Sequence, residues 1–232
     1  MNYLITGHSS GLGRALADHC LNSGHEVFGL SRSLIANTPP ALRQQSVDLS
    51  MLDEIQPALD KLVPSAQSLD IVILNAGMLG PISAMPDIQV DTIRRVMDVN
   101  VWANKIVLDW LVARPTAPRQ AVLISSGAGV RGNQGWSAYA LSKATLNMLV
   151  QLYAHDMPDT QLVALAPGLI DTAMQAQLRE VDSTVFPSVR RMHEAHGTGT
   201  MPGAETVARR LLNLLPHLHD VESGSFIDMR KR

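Results

Sequence analysis

The sequence predicts an α/β protein: one domain over residues 1–232, a doubly wound parallel sheet of about seven strands with helices on both faces. Three observations predict it. Short apolar runs recur from end to end, and most are apolar on both faces, as strands covered on two sides must be. Most stretches between them are long enough for a helix and carry apolar residues at helical spacing. Crossovers of one hand then lay such strands parallel and put helices on both sides.

The elements follow in order. Tyr3-Leu4-Ile5-Thr6 reads as the first strand, followed by glycines and a helix from Leu12 to Ser23, with Gly24 where a C-cap is wanted. Val27-Phe28-Gly29-Leu30 is the second strand, and Ser46-Val47-Asp48 ends a weak third. The stretch between them, Ser33 to Arg43, holds Pro39-Pro40 and is too short and proline-rich for a crossover helix. Asp70 to Asn75, Ala121 to Ser125 and Leu162 to Ala166 are the fourth to sixth strands, and Gly224 to Asp228 a seventh. Helical spacing covers Ile88–Trp110, Ala138–His155 and Ala204–Leu215. Thr172 to Pro202 is the least regular stretch and follows a strand's C-terminal end, so it reads as a substrate lid or an ordinary surface helix and loop.

Composition sets the bounds. At 232 residues, 46% hydrophobic and 17% charged, the chain is globular and long enough to bury a core without metals or staples. Its net charge of −2 provides no basic field for nucleic acid or an anionic membrane. One cysteine, Cys20, excludes an internal disulfide framework. No secretory signal and no run of about 18 apolar residues is visible, so a cytoplasmic protein is expected, with no membrane partner. His193-Glu194-Ala195-His196 has its histidines three apart, not four, and no metal is expected. Arg230-Lys231-Arg232 reads as a solvated tail.

After the first strand comes Thr6-Gly7-His8-Ser9-Ser10-Gly11-Leu12-Gly13. Its glycines allow a tight turn and let a pyrophosphate approach peptide N–H groups, while the following helix aims its positive end at the phosphate. The spacing is neither G-x-G-x-x-G nor a P-loop. A tight strand–helix connection would use the same residues. Position at the first strand favours phosphate binding.

With these residues the sequence resembles the short-chain dehydrogenases/reductases. Thr6-Gly7-x-x-x-Gly11-x-Gly13 matches their cofactor motif, followed in order by Asn75-Ala76-Gly77, Asn100, Ser126, Tyr139-x-x-x-Lys143 and Pro167-Gly168-Leu169-Ile170-Asp171-Thr172. The resemblance covers nearly the whole chain and implies a Rossmann-like fold that binds a nicotinamide dinucleotide. It also implies that Ser9, Ser10 and Leu12 join the glycines at the cofactor. Asp48 and Leu49 would lie at the adenine, and Asn75, Ala76, Gly77 and Val99 along its ribose. Pro167, Gly168 and Ile170 would face the nicotinamide, and Thr172 the phosphates.

Tyr139 and Lys143 lie four apart on one helical face. Reducing a carbonyl needs an acid to protonate the nascent alkoxide. Tyrosine titrates near 10, about three units and roughly 4 kcal/mol too high for neutral pH. A cation about 5 Å away at an effective dielectric of about 20 supplies roughly 3 kcal/mol, and an oxidised nicotinamide adds a second positive charge. Lys143 and the cofactor together are then enough to tune Tyr139. An isolated Tyr-x-x-x-Lys would read as an exposed helical pair. Here the resemblance adds Ser126, in a Ser-x-x-Gly pattern with Gly129, as the serine that orients the carbonyl. It adds Asn100 as the residue that bends its helix and holds a water chain to Lys143.

The second strand runs into Ser31-Arg32 with no acid to hold ribose hydroxyls. Arg32 can fork onto a 2′-phosphate and Ser31 can donate to it, which predicts NADP(H) over NAD(H). Ser10 lacks the basic side chain that many NADP-dependent members carry in the turn. Gly135-Trp136-Ser137-Ala138-Tyr139, the Ala166–Gln175 stretch and Ser223–Asp228 are similar to the sepiapterin and benzil reductase branch, which reduces a ketone flanked by a second carbonyl. By that resemblance Ser126 and Trp136 face the substrate. Asp228 either anchors a guanidine-like edge of it or merely ends the last strand. The expected protein is thus an NADPH-dependent carbonyl reductase with a small-molecule carbonyl substrate, and the resemblance implies a homodimer or homotetramer assembled through helices like Ile88–Ala113 and Ala138–His155. A dinucleotide-binding sensor without turnover is the alternative.

Overall fold

The computed structural model describes residues 1–231. Seven parallel strands form one sheet in the order β3-β2-β1-β4-β5-β6-β7. They are β1 (Asn2–Thr6), β2 (Glu26–Ser31), β3 (Leu42–Ser46), β4 (Ile71–Leu74), β5 (Gln120–Ile124), β6 (Gln161–Ala166) and β7 (Ser225–Asp228). The strand order reverses between β1 and β4, which opens a crevice at the strands' C-terminal ends.

Alternation along each strand divides the core. From β1 and β4, Leu4, Val72 and Leu74 face one side, where they meet α2 (Leu52–Leu62), α4 (Ala103–Val112) and α5 (Ser137–Asp156). Tyr3, Ile5, Ile71 and Ile73 face the other, against α1 (Gly11–Asn22) and α8 (Ala204–Leu214). Fully buried residues such as Phe28, Leu4 and Ile73 each contribute roughly 1.5–3 kcal/mol. Cys20 belongs to the second layer, and burial pushes its thiol up to about 12. No helix among the described residues is long and apolar enough to cross a membrane.

Three elements differ from the sequence expectation. The third strand is Leu42–Ser46, not a run ending at Asp48. It is an edge strand paired only with β2, so its residues LRQQS need little apolar character, and Val47 to Leu49 follow it into the crevice rim. Helix α2 carries Pro57 and lies where the apolar spacing gave no clear sign. The long helix expected over Ile88–Trp110 is interrupted: α3 (Val90–Met97) passes into a π turn, Asp98–Trp102, before α4. The turn sits at Asn100, whose carbonyl accepts the Asn104 amide at 2.7 Å.

Candidate active site

Above the strand ends runs a cleft of about 1210 Å³, larger than a small-ligand pocket and roomy enough for a dinucleotide beside a second ligand. Its floor begins at the glycine turn. Gly7 and Gly11 hold φ of +69° and +52°, which favour glycine. A Cβ at Gly13 would stand 2.1 Å from the Gly7 carbonyl oxygen, so Gly13 packs behind the turn and does not line the cleft. Ser10 makes no side-chain cap on α1, which leaves the first-turn N–H groups without that partner. Gly7, Ser9, Ser10, Gly11 and Leu12 all line the cleft. This cradle and the open helix end fit a pyrophosphate.

The rest of the turn is braced from behind. The Asn75 amide donates to the Thr6 carbonyl at 3.1 Å, and the Asn75 and Ala76 N–H groups donate to Thr6 Oγ1 at 3.0 and 3.1 Å. His8 is fully buried and was not singled out in the sequence. Its Nε2 reaches Gln44 Oε1 at 2.8 Å and its Nδ1 the Ser31 hydroxyl at 3.1 Å. Gln44 Oε1 also accepts the Ile35 N–H, so His8 Nε2 must carry the proton. Burial lowers the imidazole pKa, and the ring is neutral. The available sign was Gly29: a Cβ there would lie 2.5 Å from the His8 ring.

Ser31 differs from its expected posture. Its side chain is buried, and the one proton of its hydroxyl is shared between two acceptors, His8 Nδ1 and the Ser33 carbonyl, 2.8 Å away. Arg32 is exposed on the cleft rim and makes no ion pair among the described residues. Asp48 accepts the Ser50 N–H and hydroxyl, both at 2.9 Å. The Ser50 N–H chiefly holds its carboxyl below the usual range, and the charges of Arg32 and Arg95 add to this. Arg95, a second guanidinium at this end, was missed because it lies in a helix far along the chain. Leu49, Ala76, Gly77 and Val99 complete this half.

The other half is built on α5. Tyr139 and Lys143 point the same way, with Lys143 Nζ 5.7 Å from the Tyr139 ring centre. Lys143 is 4% exposed, donates to the Ile124 carbonyl at 2.7 Å, and is pushed down to about 8 by burial alone. Burial raises Tyr139, and the Ser126 hydroxyl beside it pulls the other way. The neighbouring Ser125 is turned away, with its hydroxyl on Asn147 at 2.5 Å. A Cβ at Gly129 would stand 2.7 Å from the Lys143 backbone, which is why the turn after Ser126 needs glycine to sit on α5. Asn100 lies one layer behind the cleft. Its side chain bridges both backbone polar groups of Met78 (2.8 and 2.9 Å) and the Ser142 hydroxyl (2.9 Å).

Pro167, Gly168, Ile170 and Thr172 line the cleft above β6. Residues 172–202 leave and return at one place, where Asp171 N–H donates to the Pro202 carbonyl at 3.0 Å. The excursion contains α6 (Ala173–Arg179) and α7 (Arg190–Ala195). Leu178, Val189, Met192 and Met201 form a small core on Trp136 and Leu79. Trp136 lines the cleft but is buried, and its indole N–H donates to Ser188 Oγ at 2.9 Å. Asp228 also lines the cleft. Both its oxygens are held by Arg230, at 2.9 and 2.6 Å. Arg230 is therefore not the solvated tail residue its sequence context suggests; Arg232 lies outside the described residues. No group of three or more His, Cys, Asp or Glu among the described residues could hold a metal ion.

Residues 2–183 match the family model described as short chain dehydrogenase. The chain is 32% identical to the benzil reductase ((S)-benzoin forming) of Bacillus subtilis (strain 168), over 99% of this chain and 98% of that one. It is 30% identical to the sepiapterin reductase of Bos taurus, over 97% and 92%. Among solved structures, the KRED1-Pglu enzyme superposes with a TM-score of 0.87 at 25% identity, covering 97% of this chain and 99% of that one. The matched span runs from the glycine turn through Tyr139 and Lys143 and past β6. The chain belongs to the short-chain dehydrogenase family and is a nicotinamide-dinucleotide oxidoreductase related to benzil and sepiapterin reductases.

Proposed function

We propose that the protein is an NADPH-dependent carbonyl reductase acting on a ketone flanked by a second carbonyl. The observation that carries this reading is the meeting of Ser126, Tyr139 and a buried Lys143 on one wall of the cleft. The nicotinamide, when bound, supplies the hydride. Ser126 holds the substrate's carbonyl oxygen beside Tyr139. Tyr139 gives its phenolic proton to that oxygen as it gains negative charge. Lys143 stabilises the phenolate left behind. At about 6 Å and an effective dielectric of about 20, that is worth roughly 3 kcal/mol, or about two pK units. A lysine at about 8 is still mostly protonated at neutral pH, so the charge is there when needed. Asn100 is a positioning residue in this scheme, tying the π turn to α5.

The glycine turn and the first turn of α1 would hold the pyrophosphate. Asp48 and Leu49 would take the adenine, and Asn75, Ala76, Gly77 and Val99 its ribose. Pro167, Gly168 and Ile170 would face the nicotinamide, and Thr172 the phosphates. With Ser31 turned inward, preference for NADPH rests on Arg32, supported by Arg95. Residues 172–202 act as the substrate lid, and Trp136 fixes it through Ser188.

The test is cofactor consumption by the purified protein, with NADPH and with NADH, against sepiapterin, benzil, a simple monoketone and an aldehyde. Turnover concentrated on the first two with NADPH is expected. Replacing Arg32 by Ala should raise KM for NADPH on the order of tenfold and hardly move NADH, since a forked charged contact is lost only in the first case. Equal weakening of both would refute the cofactor assignment. NADPH binding with no turnover on any compound would move the reading to a sensor.

Leu141, Met148 and Leu152 form an exposed apolar row on α5, with Trp102 exposed on the adjoining π turn. This row is the proposed contact between copies. Light scattering should give the mass of a dimer or tetramer, and Met148→Glu should shift it toward 25.1 kDa. A wild-type monomer would rule the assembly out.

A further inference from the structure

Resting on the carbonyl-reductase reading, we propose that Arg230 is a specificity-determining residue and that the ketone reduced here carries a carboxylate close to the reacting carbonyl. Arg230 follows β7 on the last turn of the chain, in a segment whose sequence shows only a run of basic residues. Asp228 fixes it from one side: its carboxylate accepts the Arg230 backbone N–H at 3.1 Å, Nε–H at 2.9 Å and Nη2–H at 2.6 Å.

The aliphatic part of the side chain crosses the face of Gly168, where a Cβ would stand 3.2 Å from Cδ. Its Nη2 lies 3.7 Å from the Cβ position of Gly127, the residue after Ser126. The guanidinium is thus stretched across the substrate half of the cleft, within a residue of the serine assigned to the carbonyl.

A guanidinium has five N–H donors, and the fork with Asp228 uses two. The two Nη1 protons and the second Nη2 proton have no partner among the described residues and lie on the edge turned away from Asp228. The Arg230 side chain is 53% exposed and the Asp228 side chain 12%. A substrate therefore meets the cation and not the carboxylate. A guanidine-like edge on the substrate would have to displace Arg230 to reach Asp228.

The surroundings have the same sign. Arg131, Arg191 and Lys231 line this half of the cleft, against Asp228 and, at the adjoining mouth, Glu194. The chain as a whole carries a net charge of −2, so this excess is local. A carboxylate matches the open donor pair in planar geometry and in charge.

The experiment compares phenylglyoxylate with its methyl ester, in which one methyl group removes the charge beside the ketone. Binding of each to the protein saturated with NADP+ is measured by titration calorimetry, alongside NADPH-dependent turnover. The acid should bind on the order of tenfold more tightly than the ester in the wild type, and Arg230→Gln should remove that preference. Arg230→Lys keeps the charge but not the fork, and should retain part of it. Circular dichroism confirms that each variant is folded. Equal binding of acid and ester by the wild type, or an unchanged preference in both variants, would overturn the proposal. A preserved binding preference with neither compound reduced counts against the reductase reading and leaves Arg230's assignment standing.

Discussion

Replacing Tyr139 by Phe should lower kcat by about a thousandfold while leaving NADPH affinity nearly unchanged. Removing a positioned general acid typically costs a hundred- to ten-thousandfold. The upper part of that range is expected because no other group stands ready to replace it. The Ser126 hydroxyl titrates far too high to serve as the acid. Lys143 gives one of its three N–H donors to the Ile124 carbonyl, and the scheme uses its charge and not its proton. The phenol's own surroundings make the requirement plain: burial raises the Tyr139 pKa, so without a nearby cation it would be a weaker acid than tyrosine in water. Fold stability should change little, since the hydroxyl's main neighbour is Ser126 and the ring remains. The measurement is single-turnover NADPH oxidation together with cofactor binding by fluorescence. A variant that keeps most of its rate would remove Tyr139 from the mechanism and the proposed reaction with it.

The parts of the fold that were legible in the sequence are those where burial on both faces dictates residue type. β1, β4, β5 and β6 each carry an apolar run, Tyr3–Ile5, Ile71–Leu74, Ala121–Ile124 and Leu162–Ala166, because helices cover them on each side. β3 was misplaced because an edge strand packs on one neighbour only; two of its residues, Arg43 and Gln44, work through their side chains. The π turn was not legible in the apolar spacing, though the resemblance put a bend at Asn100, where the turn lies. It comes from an Asn104–Asn100 hydrogen bond inside a stretch whose apolar spacing stays helical. The glycine turn and the Tyr139-x-x-x-Lys143 pair could be read from local spacing. His8 and Arg230 could not. Each acts through a contact with a glycine far away in the chain, His8 with Gly29 and Arg230 with Gly168 and Gly127. A bare glycine in the sequence does not say which side chain fills the space it leaves. Arg230 also looked like part of a charged tail, and only the position of β7 beside β6 brings it over the cleft.

Replacing Lys143 by Met should abolish turnover and make the protein more stable at neutral pH. Lys143 is 4% exposed and its pKa is lowered from 10.5 to about 8 by burial, with no carboxylate to compensate. A depressed lysine pKa destabilises the folded state wherever the group is charged in it. The cost is full below pH 8, shrinks as pH rises from about 8 towards 10.5, and is gone above that. A shift of this size corresponds to roughly 3 kcal/mol. Against it stands the Ile124 carbonyl, which loses its Nζ donor and costs about 1–3 kcal/mol when left buried and unpaired. The net gain at pH 7 is therefore of order 1 kcal/mol, or a few degrees in Tm. The diagnostic quantity is its pH dependence. The stability of the Met variant relative to wild type in urea unfolding should fall by roughly 2 kcal/mol between pH 7 and pH 10, turning the small advantage into a disadvantage of about 1 kcal/mol, because only the wild type sheds its burden over that range. A difference that stays constant with pH would mean that Lys143 is not held as a strained cation. The phenolate stabilisation assigned to it would then need another source. The trade itself is what a catalytic lysine requires: a charge kept close to the phenol at a cost to the fold.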